Sequence, residues 1–234
     1  MSINRCSYCQ KRLIRNLKIS EILFFTPKIS QICAECDSLF RLLDQERGCR
    51  TCQQVMNTVN DHCDDCLEWK KRYPEYDFCH HAKFYYDVAF KEWLKRYKFM
   101  GDIRLAGTFA KYWQEAHGIF ADYLMCPIPI TKERLNERGF NQVTEMLKVA
   151  KVPYQQLLKR PKNHLPQAQK TKQERLASHQ PFQLMVDPSI IEKKKILLVD
   201  DVYTTGQTLF HAADCLLPYF PGKIRTFSLA RTTN

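Results

Sequence analysis

Two adjacent carboxylates, Asp200 and Asp201, follow an apolar run and precede a turn rich in hydroxyl groups. The run at residues 196–199 is short and aliphatic, which predicts a central parallel strand buried on both faces. Ligands of open α/β sheets bind beyond the carboxyl ends of such strands. The two carboxylates are therefore predicted to accept hydrogen bonds from vicinal hydroxyl groups of a ligand.

The turn after these carboxylates leads directly into a helix. Its candidate phosphate ligands are Thr204, Thr205, Gly206, Gln207 and Thr208. Gly206 can adopt positive φ, so that successive backbone N–H groups can converge on an anion. Leu209, Ala213 and Leu216 recur at helical spacing, which predicts a helix whose positive N-terminal end points at the same ligand. Carboxylates for hydroxyl groups and amides for phosphate together predict a phosphorylated ribose.

Residues 196–208 resemble the 5-phosphoribosyl 1-pyrophosphate (PRPP) signature of type I phosphoribosyltransferases. The resemblance implies that Asp200 and Asp201 hold the ribose hydroxyls, that the turn holds the 5-phosphate, and that Mg²⁺ accompanies PRPP. The alternative is a buried strand followed by a polar turn without a ligand. That alternative explains the apolar run but not the two carboxylates beside it.

A second polar cluster, residues 134–142, follows an apolar pattern that ends in Pro127-Ile128-Pro129. The predicted sheet brings this cluster to the same edge, where Arg134 and Arg138 are candidates for bidentate contact with a pyrophosphate group. Asn141 is predicted to cap the helix that follows. The alternative is a capped helix with exposed arginines.

Eight of the eleven cysteines lie before residue 70, in four Cys-x-x-Cys pairs. This spacing lets both thiolates of a pair reach one tetrahedral metal ion at about 2.3 Å, so the sequence predicts two structural Zn²⁺ ions. The pairs can combine as neighbours, interleaved or nested, and short loops lose the least entropy on closing, which favours neighbours as in a double zinc ribbon. The favoured ligand sets are Cys6, Cys9, Cys33 and Cys36 for one ion and Cys49, Cys52, Cys63 and Cys66 for the other.

Two other interpretations of the cysteines are open, a disulfide framework in an oxidising compartment and a redox dithiol. Three cysteines lie outside the four pairs, and three histidines are candidate metal ligands only if a cysteine pair is unused. These residues are Cys79, Cys126, Cys215, His62, His80 and His81.

A change in composition near residue 80 predicts two units, a zinc-binding domain at residues 1–80 and a phosphoribosyltransferase-like domain at residues 81–234. The predicted strands cover residues 84–86, 124–130, 154–158, 196–199 and 224–230, and the predicted helical faces cover residues 90–97, 105–116, 143–150 and 209–216. This alternation predicts an α/β fold with helices flanking a parallel, doubly wound sheet. Residues 160–181 lack apolar periodicity, which favours a functional lid, with a solvated loop as the alternative.

Six motifs, in the same order along the chain, resemble those of the ComF family of competence-associated proteins. They are the paired cysteines, residues 94–101 (Leu-Lys-Arg-Tyr-Lys-Phe-Met-Gly), Pro127-Ile-Pro129, Arg138-Gly-Phe-Asn-Gln142, Pro166-Gln-Ala168 and the Asp200-Asp201 motif. Residues 176–180 (Leu-Ala-Ser-His-Gln) depart from the Arg-rich stretch with an asparagine that family members often carry there. The resemblance implies a role in natural transformation, handling single-stranded DNA with the ComFA helicase and the recombination mediator DprA.

The formal net charge of +11 at pH 7 favours a polyanionic partner. One predicted helix and one stretch of the cysteine-rich region combine cations with aromatic rings, which suits single-stranded DNA. These residues are Lys91, Trp93, Lys95, Tyr97 and Lys98 in the helix and Lys70, Lys71, Arg72 and Tyr73 in the stretch. The alternative interpretation is that the rings are core and the lysines a solvated face.

No run is long and apolar enough to span a bilayer, and the N-terminal residues do not resemble a signal peptide, so we expect a cytoplasmic protein. Three functions fit these patterns. The favoured one is a PRPP-binding competence factor that handles DNA; the second is an active phosphoribosyltransferase, for which no base-binding signature is found; the third is an interaction scaffold whose zinc region docks a helicase.

Overall fold

The computed structural model describes residues 5–13, 23, 31–44, 48–56, 61–74, 76–161 and 180–232. Most of the hypothesised lid, residues 162–179, lies outside the described residues. Within the described ranges, no helix combines the length and the apolar character needed to cross a membrane.

Four parallel strands form the central sheet, in the spatial order β1-β6-β5-β2. The strands in chain order are β1 (His80–Tyr85), β2 (Leu124–Pro127), β3 (Leu158–Lys159), β4 (Gln183–Leu184), β5 (Lys195–Tyr203) and β6 (Lys223–Arg231). The strand predicted at residues 154–158 is wrong as a member of this sheet, because only the short β3 forms and it pairs antiparallel with β4. Gln155 N–H reaches Met125 O on β2 at 2.9 Å, but the next apolar residues turn away to pack elsewhere.

Two of the helices in the described ranges precede β1, and the later helices lie between the strands, as predicted, with two differences. The helices are α1 (Ala34–Asp37), α2 (Asp64–Arg72), α3 (Val88–Phe99), α4 (Ala110–Ile119), α5 (Lys132–Arg138), α6 (Gln142–Val149) and α7 (Gln207–Leu216). The single helix predicted over residues 105–116 is divided into a 3₁₀ turn, Ile103–Gly107, and α4. Gly107 weakens helix propensity there, and the buried Thr108 hydroxyl accepts a hydrogen bond from Trp93 Nε1 at 3.1 Å. The first part of the polar cluster predicted at residues 134–142 is itself helical, as α5.

Helices cover both faces of the sheet. Alternate residues of β5 point to opposite faces. Leu197 and Val199 enter a core shared with α3, α4 and α6, which we call the first core. Ile196 and Leu198 enter a core shared with α7, the second core. This arrangement confirms the predicted parallel sheet flanked by helices.

The cysteine-rich segment packs against both faces of this sheet. Its cysteines in the first core are Cys6 and Cys36, and those in the second core are Cys49, Cys52 and Cys66. Between the two groups the chain passes the edge of the sheet, where Leu42 and Phe84 of β1 form an antiparallel bridge. The two groups therefore lie on opposite faces of one sheet. The division into two domains at residue 80 stays a prediction.

Candidate functional site

Asp200 and Asp201 lie where β5 extends beyond its neighbour β2. The ladder between β2 and β5 ends at Pro127 and Val199, whereas the ladder between β5 and β6 continues to Tyr203. Both carboxylates thus belong to a strand that is longer than predicted, and they border the notch left by the end of β2. This notch is at the carboxyl edge of the sheet, where a ligand was expected.

Asp201 is held by side chains from two helices. Its carboxylate is 4% exposed and forms an ion pair with Lys98 of α3. Gln142, the first residue of α6, donates from Nε2 to Asp201 Oδ1 at 3.3 Å. The Gln142 side-chain oxygen accepts from Arg138 Nη1 at 2.5 Å, and its backbone carbonyl accepts from the Tyr97 hydroxyl at 2.8 Å. This network fixes the position of the Asp201 carboxylate.

The two carboxyl groups have opposite pKa shifts. Burial and the neighbouring Asp201 raise the pKa of Asp200 well above its usual value. Burial also acts to raise the pKa of Asp201, but the Lys98 ammonium and hydrogen bonds from Asp200 and Gln142 outweigh it, so that this pKa is lowered. Asp201 therefore carries the charge of the pair, while Asp200 keeps its proton to higher pH. Such a pair can both accept from and donate to vicinal hydroxyl groups.

A cavity of about 280 Å³ opens at the two carboxylates. Its charged and hydroxyl-bearing side chains include Lys98, Arg134, Arg160, Asp200, Asp201, Thr204 and Thr208. The candidate site residues that do not line it are Arg138, Thr205, Gly206 and Gln207. The cavity thus combines acids, cations and hydroxyl groups, as a sugar phosphate requires.

The arginines of this site differ in what they touch. Arg134 lines the cavity, whereas Arg138 does not line it and donates a hydrogen bond to Gln142, which in turn holds Asp201. Arg160, at the start of the hypothesised lid, also lines the cavity. Its Nε donates to the Pro129 carbonyl at 2.9 Å, its guanidinium lies 4.6 Å above the Phe182 ring, and burial lowers its pKa.

The turn after β5 requires glycine for two reasons. Gly206 has a φ of 80° and is the N-cap of α7. A Cβ at this position would lie 2.3 Å from the Tyr203 hydroxyl. Thr204 and Thr205 are exposed beside it, and the N–H groups of the first turn of α7 are directed toward the same edge. We call residues 204–208 the phosphate turn, after the group that the sequence predicts there.

Two caps position the segment that carries Arg134 and Gln142. Thr131 accepts from the Arg134 N–H at 3.3 Å and starts α5, and Gly139 ends it with a φ of 79°. Asn141 caps α6, as predicted, by accepting from the N–H groups of Val143 and Thr144 at 3.0 and 3.1 Å. Its amide also donates to Ile128 O at 3.0 Å, which ties the start of α6 to the end of β2.

Three residues of this site were not predicted from the sequence as ligand-site residues: Lys98, Gln142 and Arg160. Lys98 was grouped with exposed lysines, but its side chain is only 17% exposed and pairs with Asp201. Trp93 and Tyr97 are fully buried in the first core, so these rings cannot stack on bases and the core interpretation is correct. The sequence feature that could have indicated Lys98 was the family motif at residues 94–101. The spacing of its residues does not show that Lys98 pairs with a buried acid.

Each cysteine group fits one tetrahedral metal ion. In both groups of four, all sulfur atoms lie within 4.8 Å of one another. The Cys9–Cys33 and Cys52–Cys63 sulfur distances are 3.9 and 3.5 Å, around the value of about 3.8 Å that a tetrahedron with 2.3 Å bonds gives. The structure brings the cysteines together as the predicted neighbouring pairs, so that each set of four could hold one metal ion.

The remaining cysteines and histidines are not needed as ligands. The described residues include all eleven cysteines, and none of them forms a disulfide, which does not support a disulfide framework. His62 Nδ1 is 2.8 Å from the Thr51 hydroxyl, and His80 bonds with Thr226 and Ser228. His81 Nε2 lies 3.5 Å from Cys79 Sγ.

Comparison with known proteins adds the family. Residues 135–233 match the model of the phosphoribosyl transferase domain. The chain is 32% identical over 227 residues to "Competence protein ComFC" of Streptococcus pneumoniae (strain ATCC BAA-255 / R6), covering 97% of this chain and 100% of that protein. The chain belongs to the ComFC family of competence proteins.

Two further relatives agree with this assignment. "Competence protein ComFC" of Bacillus subtilis (strain 168) is 32% identical over 238 residues, covering 86% of this chain and 95% of the relative. "Competence protein F" of Haemophilus influenzae (strain ATCC 51907 / DSM 11121 / KW20 / Rd) is 22% identical over 240 residues, covering 97% and 96%. The similarity to the Streptococcus ComFC spans almost the whole chain and so extends well before residue 135, where the matched transferase domain begins.

Proposed function

We propose that this ComFC family member binds PRPP with Mg²⁺ at the carboxyl edge of its sheet and handles incoming single-stranded DNA in the cytoplasm during natural transformation. The competence role comes from the family. The observation that carries the ligand proposal is the pair Asp200 and Asp201, with opposite pKa shifts, in a cavity that also contains Arg134 and Thr204.

In the proposed complex, each end of PRPP meets matching groups. The ribose hydroxyls bond to Asp200 and Asp201, and the 5-phosphate lies at the phosphate turn and the N-terminus of α7. Arg134 and Arg160 contact the pyrophosphate, whose charge Mg²⁺ would partly neutralise. Arg138 positions Asp201 through Gln142.

The cysteine groups are proposed to hold one Zn²⁺ each in a structural role. Four thiolates complete a tetrahedral site and leave no open position for a substrate. The thiolate donors and their separations suit Zn²⁺, and each group is joined to a hydrophobic core, where metal binding would stabilise the surrounding fold.

The DNA-binding part is supported by an exposed stripe on α3. Lys91 and Lys95 are exposed, and Phe99, at the next position of the same face, is 78% exposed. Two cations beside an exposed ring suit a single strand, because bases stack on the ring while phosphates meet the lysines. The family resemblance suggests the ComFA helicase and DprA as protein partners.

An active phosphoribosyltransferase is the second candidate. Tyr86, Leu94 and Ile130 form an apolar wall in the cavity that holds the two carboxylates, and a planar acceptor could pack there. Pyrophosphate release from PRPP on addition of a nucleobase or nucleotide would establish turnover. Binding without release across a panel of acceptors favours the ligand-responsive competence factor.

Calorimetric titration of PRPP with Mg²⁺ tests the ligand proposal. The wild-type protein should bind saturably, and Asp201→Asn should bind at least about tenfold more weakly because a charged acceptor is lost. The matched control is Asp122→Asn, which removes an exposed carboxylate paired with Lys195 at the opposite end of β5. Thermal unfolding of each variant verifies folding. No saturable binding by the wild type, or equal binding by Asp201→Asn, contradicts the proposal.

A further inference from the structure

The second cysteine group, Cys49, Cys52, Cys63 and Cys66, has two connections to the phosphate turn, and the first is the side chain of Trp69. Cys63 is the N-cap of α2, and Trp69 lies on that helix. Trp69 Nε1 donates a hydrogen bond to the Thr205 carbonyl at 3.2 Å. Its ring stacks on Phe210 of α7 with centroids 3.9 Å apart and an interplanar angle of 11°. Trp69 therefore contacts both the phosphate turn and the helix that the turn begins.

A second connection runs beneath the turn. Arg231 is 1% exposed, and its Nη2 donates to Gln54 Oε1, two residues after Cys52, at 2.6 Å. The guanidinium lies 4.4 Å from the centroid of the Tyr203 ring. The Tyr203 hydroxyl in turn lies against Gly206, where it occupies the space that a side chain would need. The cysteine group thus supports the turn from two directions.

The first cysteine group, Cys6, Cys9, Cys33 and Cys36, has neighbours that contact a different part of the fold. Its helix α1 has four residues, and Asp37 at its end accepts from Lys111 Nζ and the Tyr112 hydroxyl of α4 at 2.5 and 3.0 Å. The Ser7 hydroxyl bonds with that of Thr108 at 3.1 Å. These contacts stabilise the first core, on the face of the sheet opposite to α7.

The hydrogen bond from Trp69 matters because of peptide geometry. In a trans peptide the C=O and the following N–H point in opposite directions. Holding the Thr205 carbonyl against α2 therefore directs the Gly206 N–H away from α2. Glycine tolerates either orientation of this peptide, so the orientation depends on the partner of the carbonyl. A phosphate needs such N–H groups fixed in advance.

We propose that Trp69 and the second cysteine group position the phosphate turn, so that binding of a 5-phosphate depends on metal at this group and not at the first. The inference rests on the proposed function in taking the turn as the phosphate site. Trp69 is a positioning residue, since it acts through Thr205 rather than on the ligand. A ribose 5-phosphate is the simplest ligand that reports on the turn.

The first test is hydrogen exchange in the ligand-free protein. Trp69→Phe keeps an aromatic ring for the stack on Phe210 but removes the N–H donor. We expect exchange in the peptide covering residues 203–210 to increase about threefold or more, with little change in α4. Unchanged exchange at the turn overturns the proposal, and this result does not depend on any ligand.

The second test separates the two ends of PRPP. By calorimetry, Trp69→Phe should bind ribose 5-phosphate about threefold to tenfold more weakly, as expected for one lost hydrogen bond, and pyrophosphate with unchanged affinity. An equal loss for both ligands would indicate general damage and overturn a positioning role. If the wild type binds no ribose 5-phosphate, the phosphate assignment fails, while the exchange experiment still decides whether Trp69 holds the turn.

The third test compares the metal groups with matched variants. Cys63→Ser and Cys33→Ser each remove a helix-capping ligand, and metal content measured by mass spectrometry should fall from two ions to one in both. Cys63→Ser should increase exchange at residues 203–210 and weaken ribose 5-phosphate binding about tenfold or more. Cys33→Ser should affect residues 110–119 instead. Equal effects of both variants on the turn would overturn the proposal.

Discussion

The two cysteine groups have the same local geometry but support different parts of the molecule. Cys33 N–H points at Cys6 Sγ at 3.4 Å, and Cys63 N–H points at Cys49 Sγ at 3.3 Å. Both Cys33 and Cys63 are helix N-caps. The following helix has four residues in the first group and nine in the second. The longer helix carries Trp69 to the phosphate turn.

The two cysteine groups therefore differ in what their neighbouring segments touch. After α1, Phe40 packs edge-on against Tyr8, Phe84, Phe90 and Phe109 in the first core. After the second group, the aromatic contact is with α7, which begins at the candidate ligand site. We therefore expect the first group to contribute mainly to global stability and the second to ligand binding as well.

Truncating one ring on each side should show the largest effects. Phe40→Ala and Phe210→Ala should each lower the free energy of unfolding by about 3–5 kcal/mol, because both rings are buried and leave cavities. Guanidinium denaturation measures this loss. Ribose 5-phosphate binding, measured where both variants remain folded, should fall for Phe210→Ala only. A similar fall for Phe40→Ala would break the distinction between the two groups.

A substitution at Lys98 tests whether α3, which packs in the first core, also stabilises the candidate ligand site. Lys98→Met should lower the free energy of unfolding at neutral pH by about 3 kcal/mol, because the buried Asp201 loses its cation. The deficit should narrow as pH falls, since Asp201 in the variant can then take up a proton. Denaturation at pH 7 and pH 5 measures both effects. Lys95→Met, an exposed change on the same helix, should alter stability by less than about 0.5 kcal/mol. A deficit of the same size at both pH values would contradict the ion-pair explanation.

The stripe on α3 predicts a smaller effect, on DNA. Lys91→Ala with Lys95→Ala should make the dependence of log affinity on log salt concentration shallower by about 1.4, the value for two lost phosphate contacts with a single strand. Fluorescence anisotropy with a labelled oligothymidine at several salt concentrations measures this slope. The matched control is Lys194→Ala with Lys223→Ala, two exposed lysines at the opposite edge of the sheet. Equal slopes for the two double variants would place the DNA elsewhere.

Much of the fold could be predicted from local patterns. The buried run before Asp200 and the apolar faces of α3 and α6 are recognisable in the sequence. A strand buried on both faces and a helix buried on one face each impose a distinct spacing of apolar residues. The four-cysteine sets followed from spacing and loop length. The strand at residues 154–158 could not be judged this way, because its apolar residues pack beside Phe182, which is distant in the sequence.

The geometry of the candidate ligand site was predictable only in part. Asp200 and Asp201 follow their strand directly, so the strand locates them. Lys98 and Trp69 reach the site from other elements, and an amphipathic pattern does not distinguish a lysine in solvent from one paired with a buried acid. The longer α2 was also not predicted, although it decides how the two cysteine groups differ.

The smallest expected effect concerns Asp200, at the edge that the second group supports. Its folded-state pKa is raised above that of the unfolded chain, because burial and Asp201 disfavour its charge. As pH rises above the unfolded value of about 3.9, the unfolded chain releases this proton more readily, so the wild-type protein loses stability up to the folded pKa. Asp200→Asn has no proton to release and should be more stable than the wild type at pH 7, with the gain disappearing near pH 4. Thermal unfolding of both proteins from pH 4 to pH 7 measures this gain. If the stability of Asp200→Asn relative to the wild type is lower at pH 7 than at pH 4, Asp200 is stabilised as the carboxylate.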